Sequence, residues 1–402
     1  MKLTGVIREI REFKWGGFFV LETFNQQYQC VYKNSEWKFK SESHIELTGE
    51  FQSANIKKEK VNHTTEFMIT SFVVLSSPSD ILPFYIYDKD MKVEQFTLLE
   101  NRAVSLRNEK FKSIFKIQSI IKNAFSNALV KRDFINISTP KITAEGAEGG
   151  TNIFSLDYFG QKAFLAQSPQ LYKQMCVGAF GKVYEVAPVF RAEEHDSSRH
   201  LNEYISLDVE TVLTNDGIKP LIELEVYILR YIIDNLIQHC GKDFNYLNVE
   251  YPELNDYKVM TFNEVKNILG STGLDMNGED EIAISKYVKE KHNTDWLFIT
   301  EYPSETRPFY TKDMNSFDLI YKGVEITSGS QRRENYTDLV ESMISRGLKP
   351  ESFNYYLDAF KYGMIKSGGF AIGLERLTAK ICGIDSTKLC SLFPRDVNRL
   401  TP

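Results

Sequence analysis

FRAEEHDSSRHLNEYISLDVE, Phe190 to Glu210, is the stretch on which the reading of this chain turns. It is apolar at both ends and densely polar in the middle, as two strands joined by a charged loop would be. VYEVAPVF (Val183 to Phe190) leads in and YISLDVETVL (Tyr204 to Leu213) leads out, both alternating apolar with polar residues. Arg191 falls where the first strand ends, and Arg199 and His200 close the loop before the second begins. Two guanidiniums and an imidazole over a sheet make a cradle for polyphosphate, because Arg grips phosphate oxygens in a bidentate fork. On its own such a hairpin is more often a solvated surface feature, so the rest of the chain has to decide.

At 402 residues the chain exceeds one ordinary domain, and two are expected. A hydrophobic share of 42% with 13% aromatics supports substantial cores. Cys30, Cys176, Cys240, Cys382 and Cys390 are an odd set with no C-x-x-C pair. They argue for a reducing compartment and against a zinc ribbon or disulfide framework. MKLTGVIREIREFKW lacks the apolar core of a signal peptide, and no apolar run approaches the ~18 residues of a membrane span, so a cytoplasmic protein is expected. Net charge is −6, but residues 1–75 hold 10 Lys/Arg against 9 Asp/Glu, leaving 38 against 45 beyond them. Local clusters such as Lys57, Lys58 and Lys60 can still meet RNA.

Residues 1–75 read as five short strands with a possible helix near Glu36 to Ser43, which suggests a barrel of oligonucleotide-binding (OB) type. Phe13, Trp15, Phe18 and Tyr28 are either barrel core or platforms for unpaired bases. SSPSDILPF opens a hinge over 76–100, and mixed helix and strand patterns follow over 101–402. An amphipathic helix from Phe111 runs to a short strand ending at Pro140. KITAEGAEGGTNIF is then a lid or a plain loop, and SPQLYKQM starts a helix. Asp216 to Cys240 is a helix with Leu221, Ile222, Leu224, Ile228, Leu229 and Ile232 inward. Residues 245–300 mix helical patterns without evident chemistry, and Phe317 to Asn335 reads as two strand pieces about Gly323. In SGGFAIGLERL (Ser367 to Leu377), the spacing of Gly368, Gly369 and Gly373 does not fit a dinucleotide fingerprint.

Helix–strand–Pro, then FRAE with a basic loop, then GGFAIGLERL, in that order, resemble the three motifs of the class II aminoacyl-tRNA synthetases. Within that class the likeness is to aspartyl-tRNA synthetases of the archaeal and eukaryotic type. It covers nearly the whole chain, through SPQLYKQ, EITSGSQR and the terminal LFPRDVNRLTP. The resemblance implies an α+β protein, with an OB-type barrel for the anticodon and a catalytic antiparallel sheet flanked by helices. It implies a homodimer joined through the first motif, with ATP, L-aspartate and tRNA-Asp as substrates and Mg²⁺ as cofactor.

It also implies roles for single residues. Arg191 and Arg376 are the catalytic pair, Arg191 at the α-phosphate. Glu193, Tyr204 (where Phe is usual) and Gly373 serve the nucleotide, and Arg199 and His200 its outer phosphates. Glu325 and Ser328 match the Mg²⁺ ligands, with Asp318 at a second position. Lys173 and Arg332 face the substrate carboxylate, Gln170 and Asp208 its ammonium, and Ser168, Ser328 and Glu148 the remaining walls. Phe18 and Gln29 match the anticodon-reading pair. Departures are Ala371 where Gly is common, Arg8 where Trp or His often stands, and the absence of a basic N-terminal extension. An asparaginyl-tRNA synthetase, a tRNA-independent amino-acid-activating paralogue and charging of tRNA-Asn as well are the alternatives left open.

Overall fold

The computed structural model describes residues 1–24, 26–56, 64–89, 91–146 and 152–402, so Lys57, Lys58, Lys60 and Glu148 lie outside the described residues. The chain divides into two compact units, Met1–Val93 and Glu94–Pro402.

In the first unit, β1 (Lys2–Phe13), β2 (Gly16–Glu22), β3 (Gln27–Tyr32), β4 (His44–Ser53) and β5 (Thr65–Ser76) form a closed barrel in the order β1-β2-β3-β5-β4. Closure leaves no unpaired sheet edge. Alternate residues point inward, so Ile7, Phe19, Leu21, Cys30, Leu47 and Phe67 fill the interior. The helix anticipated near Glu36 to Ser43 does not form: the segment consists of turns and irregular chain. Phe39 packs into the barrel core with Trp37 against it, so aromatic anchoring of a loop replaces the helix.

The second unit opens with α1 (Gln95–Glu100), α2 (Arg102–Ser105) and α3 (Glu109–Val130). Asn108 caps α3 by accepting from the Lys110 amide at 2.7 Å, which satisfies an otherwise orphaned donor. The inward stripe Ile114, Ile117, Ile121 and Phe125 is buried. Next come β6 (Ile135–Asn136), β7 (Ile142–Thr143), β8 (Ser155–Tyr158), β9 (Gln161–Leu165), α4 (Gln170–Phe180), β10 (Lys182–Phe190) and β11 (Glu203–Val212). Then follow α5 (Lys219–His239), α6 (Gly241–Leu247), β12 (Lys258–Thr261), α7 (Phe262–Leu269), α8 (Gly278–His292) and β13 (Trp296–Thr300). The chain continues with β14 (Thr311–Tyr321), β15 (Val324–Arg332), α9 (Tyr336–Ser345), α10 (Asn354–Lys361), β16 (Ser367–Gly373) and α11 (Leu374–Ile381).

Eight strands form one sheet, β12-β13-β14-β15-β16-β11-β10-β6, and β7-β9-β8 form a small second one. The five central strands, β14 to β10 in that order, run antiparallel to one another. Helices α3 and α5 pack behind them: Phe125 meets Tyr184 edge-on, and Gly368 gives Leu221 room that a Cβ, 2.8 Å from its Cδ1, would take. All five cysteines are free, and no helix among the described residues is long and apolar enough to cross a membrane.

Candidate active site

Antiparallel register builds the front of the sheet. Asp318 pairs with Ser328, Ser328 with Ala371, and Ala371 with Asp208, one row across β14, β15, β16 and β11. In the next row Ser316, Ser330, Gly369 and Glu210 follow one another. Side chains two residues apart share a face, so each row projects into the same space. Ala371 sits in extended strand, where its Cβ is compatible with the backbone. A bulge between Leu319/Ile320 on β14 sets Ile320 against Glu325 and leaves Ile326 unpaired. Bulges re-aim side chains beside sites; here Glu325, Ile326 and Ser328 all line a cavity of about 320 Å³. That size suits a small-molecule pocket. Ser168, Gln170, Lys173, Arg191, Glu193, Arg199, His200, Tyr204, Gly373, Arg376 and Arg332 also line it. Asp208 and Asp318 reach it through partners, and Glu148 lies outside the described residues.

At one end the charges are paired. Lys173, on the first turn of α4, donates to Asp208 Oδ1 at 2.8 Å and stands 3.6 Å from Glu210. Arg332 donates through Nε and Nη2 to the two oxygens of Glu210, both at 2.9 Å. All four side chains are at most 5% exposed. The expectation placed Lys173 and Arg332 as open cations facing a substrate carboxylate; they instead carry built-in counter-ions. Glu210 was missed, although its position two residues after Asp208 on a half-buried strand was a visible cue. Gly369 makes room for it, since a Cβ there would lie 2.3 Å from Glu210 Oε2. The Gln170 amide donates to Ser168 Oγ at 3.2 Å, fixing the helix entrance beside the cations.

The other end is crowded with charge. Arg376 donates to the Glu325 carbonyl at 3.0 Å, with Glu325 Oε1 3.9 Å from the same nitrogen. Burial first, then Asp318, pushes the Glu325 carboxyl up to about 7, and Glu281 adds to the rise. Arg307 donates to Asp318 Oδ2 at 2.7 Å and to Ser328 Oγ at 3.3 Å. Arg199 binds Glu281 Oε2 at 3.1 Å and the Gly323 carbonyl at 3.0 Å, so it lies along α8 at the cavity wall. Glu281 also accepts from the Glu325 amide at 3.0 Å. Neither Arg307, between Pro303 and Pro308, nor Glu281, inside residues 245–300, carried a sequence signal. In the basic loop, His200 Nε2 lies 3.6 Å from Glu193 and Nδ1 2.6 Å from Ser197 Oγ. Burial lowers its pKa below the ordinary histidine value; Glu193 opposes this, and Arg376 adds to the lowering. In the unliganded site this favours the uncharged imidazole. Arg191 lies 3.9 Å from Glu193 and 6.0 Å from the centre of the Tyr204 ring.

The donors at this end suit Mg²⁺. Asp318 Oδ1 is buried with no hydrogen-bond partner among the described residues, beside Glu325 and the Ser328 hydroxyl, all hard oxygens. Among the described residues no three His, Cys, Asp or Glu converge to hold an ion by themselves. Mg²⁺ commonly takes one or two carboxylates, with its remaining positions filled by phosphate and water.

In the barrel, Phe18 on β2 is paired with Val31 and Gln29 on β3 with Val20. The Gln29 amide donates to Glu66 at 3.0 Å. Arg8 is held by Glu22 at 2.6 Å and Glu42 at 2.5 Å, so its charge is matched within the barrel.

The sequence profile of the class II tRNA synthetases (D, K and N) matches residues 94–397. The aspartate–tRNA(Asp/Asn) ligase of Thermus thermophilus is 44% identical over 340 residues, 82% of this chain and 80% of its own. The aspartate–tRNA(Asp) ligase of Thermococcus kodakarensis is 40% identical over 84% of this chain and 80% of its own. Among solved structures, the aspartyl-tRNA synthetase of Entamoeba histolytica superposes with a TM-score of 0.87 at 29% identity, over 100% of this chain and 90% of that one. The chain belongs to the class II tRNA synthetase family that handles aspartate, lysine and asparagine.

Proposed function

We propose that this chain is an aspartate–tRNA ligase. It joins L-aspartate to ATP as aspartyl-adenylate with release of pyrophosphate, then passes the aspartyl group to the 3′ end of tRNA-Asp. In the first step a carboxylate oxygen of aspartate attacks the α-phosphorus, and the bond to the bridging β-phosphate oxygen breaks. In the second a ribose hydroxyl attacks the activated carbonyl and AMP leaves.

The protein's work is positioning and charge neutralisation rather than covalent catalysis. Arg191 grips the α-phosphate over the Tyr204 ring, which stacks on adenine, with Glu193 and Gly373 at the nucleotide's edges. Arg376, Arg199 and His200 meet the outer phosphates. The triphosphate's charge draws His200 back towards its protonated form and competes with Glu281 for Arg199. Glu325, Ser328 and Asp318 are the residues that would hold Mg²⁺, which when bound offsets phosphate charge and orients the chain. Lys173 and Arg332 receive the substrate side-chain carboxylate, with Gln170, Ser168 and Asp208 at its ammonium group and Glu148 closing over it. The barrel takes the anticodon through Phe18 and Gln29, and two chains join through α3 and β6. Action in the cytoplasm fits the free cysteines.

The observation that carries the assignment to aspartate is the buried Lys173–Asp208–Glu210–Arg332 set at the cavity wall. The substrate ammonium takes over Asp208, which leaves Lys173 and Arg332 facing Glu210 alone, one positive charge in excess, and that excess rewards a carboxylate over an amide. Pyrophosphate exchange with aspartate and asparagine in parallel tests it, followed by charging of purified tRNA-Asp and tRNA-Asn. Aspartate should win by at least a hundredfold in kcat/KM, corresponding to ~3 kcal/mol. A preference for asparagine would overturn the assignment.

A further inference from the structure

At the turn between β1 and β2 two aromatic rings stand in solvent. Phe13 and Trp15 are 48% and 50% exposed, and their rings stack 5.4 Å apart with planes 2° from parallel. Phe18 lies 5.8 Å from Phe13, and the Arg11 guanidinium 5.8 Å from Phe18. A groove beside the stack is lined by Lys14, Ser35, Trp37, Lys38, Glu12 and Tyr32. Tyr32 is 1% exposed, and its hydroxyl has no hydrogen-bond partner among the described residues. The turn is sterically fixed around it. Gly16 has φ 138° and a Cβ there would lie 2.1 Å from the Tyr32 carbonyl, while one on Gly17 would lie 2.7 Å from the hydroxyl.

Burying an aromatic side chain is worth about 1.5–3 kcal/mol, so two parallel rings left in water forgo stability that their position does not require. Their one feature that solvent cannot use is a flat π-surface continuous with Phe18. Lys14 and Lys38 outnumber Glu12, which stands 3.7 Å from Lys38, so the groove is net positive. A buried hydroxyl at its wall can donate to or accept from a base edge or a ribose. We propose that the Phe13–Trp15 stack and this groove bind one further unpaired nucleotide of the tRNA, next to the base taken by Phe18. Base–aromatic stacking needs no particular base, so the platform adds affinity without adding sequence choice. The inference rests on the reading of the barrel as the anticodon site.

The experiment measures binding of a tRNA-Asp transcript to the full chain, with tRNA-free aspartate-dependent pyrophosphate exchange on the same preparations. Trp15→Leu keeps apolar bulk but removes the aromatic face. It should weaken binding roughly tenfold, with exchange unchanged. Trp15→Phe should bind within about twofold of wild type, because the stack survives. Phe18→Ala serves as the reference. If Phe18→Ala weakens binding while Trp15→Leu and Phe13→Leu do not, the platform is wrong and the anticodon reading stands. If none of the three changes binding, both fall. Equal losses in Trp15→Leu and Trp15→Phe also overturn the platform, since a role in packing rather than stacking would then explain them.

Discussion

The two ends of the cavity are built on opposite electrostatic principles. Around Lys173 and Arg332 every buried charge has an opposite partner within 3.6 Å, and the set sums to zero before any substrate arrives. Around Glu325, Asp318 and Glu281 are each held by an arginine, but Glu325 meets its own only at 3.9 Å, one oxygen of Asp318 has no partner among the described residues, and the neighbouring imidazole is biased towards neutrality. The first end is finished by folding; the second remains strained until a polyanion and its cation complete it. Removing a charge should therefore have opposite effects on stability at the two ends, and that is the comparison to break.

The largest effect is expected at the finished end. Lys173→Met leaves Asp208 without its cation inside the protein, and Glu210 with only Arg332. Breaking one partner out of a buried pair costs about 3–5 kcal/mol, through the stranded charge rather than the lost attraction. Denaturant unfolding should register that loss, and aspartate-dependent exchange should fall by at least two decades. A variant as stable as wild type would mean the four charges are not coupled.

Much of this was legible in the sequence. Strand alternation located β10, β11 and β15. What stayed hidden depends on neighbours that only the sheet register supplies. Glu210 shares a face with Asp208, but that it would sit under Gly369 and grip Arg332 follows from the pairing of β11, β16 and β15. Without the family resemblance Glu325 would read as an exposed strand residue; the bulge at Ile326 is what turns it into the cavity. Glu281 and Arg307 come from segments without evident chemistry in the sequence, and they enter only because α8 and the 304–307 turn are carried there by the fold. The helix expected near Glu36 fell to a local competitor, the burial of Phe39 in the barrel.

Next in size is Arg376→Ala, at the unfinished end. Among the described residues its hydrogen bond and ion pair both go to Glu325, so the fold should lose little, whereas exchange should fall ~10²–10³-fold as a charge-assisted contact in the transition state disappears. Near-normal exchange would remove Arg376 from the phosphate site.

Reading the strain at that end by pH requires silencing a louder signal behind the sheet. Glu225 on α5 is 0% exposed, and burial pushes its carboxyl up to about 8, with Thr327 opposing and Asp318 adding. A folded pKa above the unfolded one means that its contribution is fully present below about pH 4.5 and lost as pH rises through about 8. Stability should fall by roughly 2 kcal/mol between pH 6 and pH 8, and Glu225→Gln should flatten most of that slope. The remainder belongs to Glu375, raised to about 7 mainly by burial, and to Glu325, both with the same sign. An unchanged slope in Glu225→Gln would place the titrating group elsewhere.

The smallest effect is the most discriminating. Glu325→Gln keeps the shape of the side chain and removes one negative charge from beside Asp318 and Glu281. In the ligand-free protein this relieves like-charge repulsion, against which stands the weak pairing to Arg376 at 3.9 Å. The side chain is 38% exposed, so water screens both terms and the net gain is modest, about 0.5–1 kcal/mol at pH 8. At pH 4, where the carboxyl is largely protonated in both the folded and the unfolded chain, the difference should vanish; that fixes its origin in charge rather than in packing. Exchange activity should be lost at either pH, because an amide is a poor partner for the cation that accompanies ATP. Stabilisation by Mg²⁺ with ATP, read as a shift in the melting temperature, should shrink in parallel. A more stable but inactive Glu325→Gln beside an unstable and inactive Lys173→Met would establish the contrast between the two ends. A Glu325→Gln variant less stable than wild type at pH 8 would show that the carboxylate is already satisfied and that the phosphate end, like the other, is complete before its ligands bind.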